Sequence, residues 1–176
     1  MVSVCPSAEA GFDRKLVVGV GSLAVSNSQR VVLTTYSLGS CLGVTAYDPV
    51  ARTGGLLHAM LPEGSLNPEK AASQPAMFVD SGMAAMLRAT YELRAERQRV
   101  QICVAGGAQF LDDSGFFNIG QRNYHALLAV LDQHGLNARA IAVGGLVSRT
   151  MHLDLETGEV RLRISGESQD TILFPG

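Results

Sequence analysis

Turn residues interrupt the apolar sequence every few positions from Lys15 to Pro62. The stretches "KLVVGVGSLAVS", "RVVLTTYS", "CLGVTAYD" and "TGGLLHAMLP" are rich in β-branched and aliphatic side chains. Gly19 and Gly21, the polar cluster Asn27–Gln29, Asp48-Pro49 and Gly54-Gly55 break them up. Apolar runs this short, bounded by turn residues, read as strands and not as helices. The first third of the chain is therefore committed to a sheet.

The remainder alternates. "EGSLNPEKAASQP", Glu63 to Pro75, reads as a long polar loop, a length that often marks a functional or mobile segment. From Ala76 to Arg97 the spacing changes to threes and fours, with Val79, Met83, Met86, Leu87, Thr90 and Tyr91 on one face, which predicts a helix. "VQICVAGGAQF" reads as a buried strand ending in a Gly-Gly turn. A second helix is predicted from Asn118, with Tyr124, Leu127, Leu128 and Leu131 as its apolar stripe and Gly135 as its stop. "ARAIAVGGLVSR", "TMHLDLE" and "EVRLRIS" read as closing strands, with a hairpin loop at Glu156–Glu159. This order predicts an α/β or α+β domain, with a mixed sheet core flanked by helices, and not a regular βαβ repeat. At 176 residues, without a repeat or an internal boundary, the chain reads as one domain over residues 15–176 behind a loose arm, residues 1–14.

Charge and cysteine usage narrow the function. A net charge of −2 carries no basic footprint for nucleic acid. No apolar run approaches the ~20 residues of a membrane helix, and the N-terminus lacks a secretory pattern. Cys5, Cys41 and Cys103 are odd in number and form no C-x-x-C pair, which argues against a disulfide framework or a zinc site and for a reducing, cytoplasmic setting.

Cys41 invites a chemical reading. It follows Leu38-Gly39-Ser40, where a glycine permits a tight backbone path, and it opens an apolar run. A thiol held at the start of a strand can be exposed while its backbone stays fixed, with adjacent amides aimed at a developing oxyanion. The bland alternative is a small core residue. A thiol nucleophile needs a base. His125 and His134 fall in or at the end of the second helix, where solvated or capping roles fit, and His152 carries no cue beyond strand alternation. His58 stands inside the apolar "GGLLHAMLP", on the strand after Cys41, where it is either a satisfied core histidine or the partner of Cys41. Thr35 is either an ordinary strand residue or the group that fixes the His58 tautomer. Composition and spacing leave each pair of readings open.

The quoted segments carry a resemblance. "TTYSLGSCLGVTAYDP" followed by "GGLLHAMLP" resembles the signature of the chemoreceptor glutamine deamidase family, CheD, including a Cys-to-His separation of seventeen residues. "FVDSGMAAML", with Asp80, "VAGGAQF", "NIGQRN", "VGGLVSR" and "LETGEVRLR" resemble later segments of the family, so the likeness runs from about Val17 to Arg163. At "VGGLVSR" the family usually has glycine before the arginine; here Ser148 precedes Arg149.

What the resemblance implies is specific. Cys41 corresponds to the family's nucleophile, His58 to its histidine and Thr35 to the threonine that orients it, with Gly39 and Ser40 supporting the nucleophile turn. The implied fold resembles the cytotoxic necrotizing factor type of deamidase, a β-sandwich-like mixed sheet core with helices outside. The implied activity is conversion of glutamine to glutamate on chemoreceptor cytoplasmic helices through a thioester, without metal or cofactor, with some glutamyl methylesterase activity. Family members also bind a CheC-type phosphatase, so a mainly regulatory binding role is the second expectation. A thiol protease or amidase of other specificity is the third.

Overall fold

The computed structural model describes residues 2–4, 14–109 and 118–176. In chain order the elements are β1 (Val2–Val4), β2 (Arg14–Val17), β3 (Ser22–Ser26), β4 (Val31–Leu38), β5 (Leu42–Asp48), β6 (Thr53–Ala59), α1 (Pro68–Ser73), α2 (Val79–Glu92), β7 (Gln101–Gly106), α3 (Ile119–Gln133), β8 (Ala138–Val143), β9 (Arg149–Asp154), β10 (Val160–Ile164) and β11 (Thr171–Phe174). The strands form a six-stranded sheet, β1-β3-β6-β5-β7-β8, and a five-stranded sheet, β11-β10-β9-β4-β2. Both mix parallel and antiparallel neighbours. This is the mixed α/β class that the sequence predicts.

Side-chain alternation explains the layering. Along β6, Leu57 and Ala59 join a core with Met83, Met86 and Leu127 of α2 and α3, while Leu56 joins Leu33, Leu38, Met151 and Leu153 between the two sheets. Every residue of β5 and β6 is buried, as expected of central strands covered on both faces. The result is three layers: helices, six-stranded sheet, five-stranded sheet.

Several sequence expectations need correction. "KLVVGVGSLAVS" is two strands in different sheets: β2 pairs parallel with β4, and β3 pairs antiparallel with β6. The arm expected over residues 1–14 contains β1, paired parallel with β3, and Arg14 already belongs to β2; residues 5–13 lie outside the described residues. The polar loop 63–75 is ordered into two short 3-10 turns around α1. Asn67 caps α1 by accepting from the Lys70 amide at 2.9 Å. Asp80 ties the segment to α2 by accepting the Gly64 amide. The stripe of α3 is Gly120, Asn123, Leu127, Val130 and Leu131; Leu128 is exposed.

The helix predicted to reach Arg97 stops at Glu92. Arg94 takes a left-handed φ of 72°, and the Ala95 amide folds back to the Thr90 carbonyl at 3.1 Å. Residues 96–99 are drawn toward Asp48. Its carboxylate accepts the Val50 and Ala51 amides at 2.8 and 3.1 Å, closing the β5–β6 turn. It also accepts the Glu96 amide at 2.8 Å and pairs with the Arg99 guanidinium at 2.9 Å. Burial opposes its ionisation, but Arg99 and these amides together hold the carboxyl below its ordinary range. Its stabilising share is therefore present above the ordinary carboxyl pKa and is lost as pH falls through the lower folded value. Asp48→Ala is expected to cost about 3 kcal/mol, because three amides lose a buried acceptor. A urea melt checks this; an unchanged midpoint would refute it.

Candidate active site

Cys41 sits between the two sheets' strands. β4 ends in a bulge against β9, between Thr35 and Leu38, and Ser37 takes a left-handed φ of 57° there. The Ser37 carbonyl then accepts the Gly39 amide at 2.9 Å, which turns the chain sharply before β5. Three consecutive carbonyls of the turn are anchored. Gly39 accepts from the Ala108 amide at 2.8 Å, Ser40 from Asn123 Nδ2 at 3.0 Å and Cys41 from the Gly107 amide at 2.8 Å. In a trans peptide the N–H points opposite to the C=O, so anchoring these carbonyls also fixes the directions of the Ser40 and Cys41 amides. The Cys41 N–H lies against its own sulfur and lowers the thiol pKa, but burial is the larger effect and pushes the thiol up.

His58 occupies the middle of the six-stranded sheet, opposite Gly43 on β5 and Ser22 on β3. Its ring points between the sheets, where Thr35 Oγ1 meets His58 Nδ1 at 2.7 Å. Thr35 Oγ1 also lies 2.7 Å from the Val18 carbonyl, which can only accept. A hydroxyl has one hydrogen. It donates to Val18, so it accepts from His58, and the neutral ring carries its proton on Nδ1. The lone pair is on Nε2, which is buried and has no hydrogen-bond partner among the described residues. Desolvation lowers the His58 pKa to about 4.

Cys41 lies two residues before Gly43 and packs against the inter-sheet core, the side His58 faces. The β5–β6 register places the two on a diagonal, which in such ladders spans roughly 7 Å, within reach of an imidazole. Thr35, His58, Cys41, Gly39 and Ser40 therefore converge at one end of the sandwich. The other histidines do not. His125 is exposed, His134 caps α3, and Thr34 Oγ1 holds His152 at 2.9 Å from the opposite side of β4. Cys103 is buried with a pKa raised to about 11 by desolvation, and Cys5 lies outside the described residues. Among the described residues no cluster of three metal-ligating side chains occurs.

Two parts of the site leave little trace in the sequence. The Val18 carbonyl is backbone. Asn123 is fully buried on α3, and its Nδ2 bridges the Ser40 carbonyl and the Met60 carbonyl, at 3.0 and 3.1 Å. Both partners are acceptors, which fixes which end of the amide faces them. One side chain thus pins the Cys41 turn to the end of the strand that carries His58. The only cue is an asparagine inside a helix, where it is a poor former, at the end of "NIGQRN".

The desolvated imidazole predicts a pH profile. A base must be neutral to accept a proton, and His58 stays neutral down to about pH 4. The acid limb of kcat/KM is expected near 4 and not at the ordinary histidine value near 6.5. The same shift affects stability. Between those values the unfolded chain binds a proton that the native site refuses, so stability falls as pH drops through that window, by roughly 3 kcal/mol in full. Rate measurements on enzyme shown to be folded separate the two effects; an acid limb near 6.5 would overturn the desolvated-base reading.

Two stacked mixed sheets thus bring a half-buried thiol and a pre-oriented imidazole together at one end of the fold. Residues 60–164 match the family model CheD, described as CheD chemotactic sensory transduction. A Syntrophus aciditrophicus protein named probable chemoreceptor glutamine deamidase CheD 1 is 39% identical over 151 residues, covering 86% of this chain and 94% of its own length. A Solibacter usitatus relative named probable chemoreceptor glutamine deamidase CheD is 37% identical over 158 residues, covering 90% and 94%. A Pyrococcus abyssi relative of the same name is 39% identical over 152 residues, covering 85% and 91%. The chain belongs to the CheD family. Among solved structures, Bacillus licheniformis hypothetical protein YfiH aligns with TM-score 0.41 and 13% identity, covering 81% of this chain and 62% of that one. The family-model match begins just beyond His58 and does not include Thr35, Cys41 or His58. Among the described residues no helix is long and apolar enough to cross a membrane.

Proposed function

We propose that this chain deamidates glutamine side chains on the cytoplasmic helices of chemoreceptors, with Cys41 as nucleophile, and that it works in the cytoplasm. The relatives' names support the substrate; the observation that supports the chemistry is the Thr35 hydroxyl, whose single proton goes to Val18 and so leaves His58 Nε2 as a free base. Burial pushes the Cys41 thiol up and the His58 ring down, so the resting pair is uncharged. The thiol proton passes to His58 Nε2 as sulfur attacks the carboxamide carbon. The Cys41 and Ser40 amides receive the oxyanion. The imidazolium returns its proton to the departing nitrogen, ammonia leaves, and a thioester remains on Cys41. His58 then takes a proton from water, the hydroxyl adds to the thioester, and glutamate is released with the thiol restored. A glutamyl methyl ester yields the same thioester with methanol as leaving group, which supports a minor esterase activity.

Thr35→Val tests the tautomer lock. Valine keeps the shape and removes both hydrogen bonds, so kcat is expected to fall ~100-fold or more, in line with the loss seen when a catalytic imidazole adopts the wrong tautomer. Ammonia release from a receptor cytoplasmic fragment measures it. A variant as fast as the wild type would remove Thr35 from the mechanism.

A further inference from the structure

The segment "VGGLVSR" ends in a cation that nothing in the proposed chemistry uses. Arg149 stands opposite Leu38, the residue that closes the β4 bulge, and opposite Ile164 on β10. Among the described residues its Nη1 reaches only two backbone carbonyls, Val147 at 3.3 Å and Gly106 at 3.5 Å, both long. It forms no ion pair among the described residues, whereas neighbouring Arg163 is neutralised by Asp170 at 2.6 Å. Burial disfavours the charged Arg149 guanidinium. A half-buried cation with no counter-ion among the described residues is a costly arrangement.

The guanidinium lines a cavity of about 190 Å³ with Ser37, Thr150, Ser165, Arg163 and Glu167. At about 30 Å³ per water, that volume admits a carboxylate and its methylene stem. Glu167 is exposed and makes no ion pair with Arg149, and Arg163 is held by Asp170, so Arg149 is the cation of the lining left for an incoming anion among the described residues. The cavity adjoins the nucleophile turn through Ser37, and Gly106 is the ladder partner of Leu42, the residue after Cys41. Leu146, 60% exposed, and Val147, 36% exposed, directly precede the lining residue Ser148 in the chain. Cation, hydroxyls and apolar rim together match an acidic side chain on an amphipathic protein segment.

We propose that Arg149 anchors a carboxylate subsite, which receives an acidic side chain of the segment carrying the target glutamine. This rests on the deamidase reading for its substrate. The subsite selects glutamines with acidic neighbours and acts on binding more than on the chemical step.

The test uses two receptor cytoplasmic fragments, one native and one with the acidic residues flanking the modified glutamine changed to alanine. With wild-type enzyme the native fragment is expected to show a KM about tenfold lower than the neutralised one. Arg149→Gln is expected to lose that difference, with kcat within about twofold, and Arg149→Lys to restore part of it. A variant that slows both fragments equally would show Arg149 to be merely structural and overturn the subsite; so would equal KM values for wild type on the two fragments. Binding of the two fragments to Cys41→Ala protein, with and without Arg149→Gln, reads the same preference without turnover. Wild-type enzyme that releases no ammonia from either fragment refutes the deamidase reading, and the binding pair still decides the subsite.

Discussion

Cys41→Ala is expected to stop ammonia release from a receptor cytoplasmic fragment while leaving the fold intact. In the proposed mechanism the Cys41 sulfur bonds to the carboxamide carbon, and Cys103 cannot replace it, being buried on β7 with its pKa pushed to about 11. Removing a nucleophile that acts together with its base costs on the order of 10⁴-fold or more. Structurally the change is mild, because Cys41 is only partly buried and its backbone carbonyl, not its side chain, is the anchored group. Mass spectrometry of the substrate, tracking the one-dalton gain of glutamine to glutamate, gives the rate. Rapid acid quenching of wild-type enzyme should trap the substrate on Cys41 as a thioester. A Cys41→Ala protein that still deamidates would eliminate the proposed mechanism, whatever the fate of the family assignment.

Gly106→Ala should be nearly as damaging, and for a reason outside the chemistry. Gly106 has a φ of 107°, which L side chains rarely adopt, and a Cβ there would run into the carbonyl oxygen of Cys41. Leu38 Cβ, at 3.3 Å, closes the other direction. The chain must give way at the bond from the Gly107 amide to the Cys41 carbonyl, which displaces the Cys41–Leu42 peptide and, through the Cys41 Cα, the adjoining peptide that carries the Cys41 N–H, a candidate oxyanion donor. A loss of about 3 kcal/mol is expected, together with a fall of ~100-fold in kcat for whatever fraction folds. Gly19→Ala is the control, since a Cβ there meets nothing within 4 Å. Urea melts and ammonia release on both proteins measure the contrast. A Gly106→Ala enzyme as stable and active as the control would mean that the turn has a slack the geometry does not show.

The fold and the site are legible in the sequence unevenly. The short apolar runs foretell the strands, and Asp48-Pro49 foretells the turn that Asp48 closes with its own carboxylate. The quoted motifs single out Thr35, Cys41 and His58 together. The split of "KLVVGVGSLAVS" between two sheets is not legible, because apolar alternation says that a segment is a strand and not which sheet it joins. α1 has six residues, too few for a helical period to emerge, so the 63–75 segment reads as loop. Asn123 escapes because its partners, Ser40 and Met60, are backbone carbonyls 83 and 63 positions away. Hydrogen bonds to main chain leave no mark on the partner's identity. Leu128 reads as part of the apolar stripe on residue type, although the burial of Asn123 rotates the helix face away from it.

The Thr35–His58 contact joins the five-stranded sheet to the six-stranded one, and Cys41 comes directly after the turn between β4 and β5, which belong to different sheets. Neither sheet alone holds the proposed set. A chain with both sheets formed but not yet docked would carry an imidazole free to take either tautomer and a thiol without a directed base. Reactivity would then be acquired in the last step of assembly, and a nascent or damaged molecule would be chemically silent toward the amides around it. Catalytic competence in this fold would serve as an internal proof of correct tertiary packing.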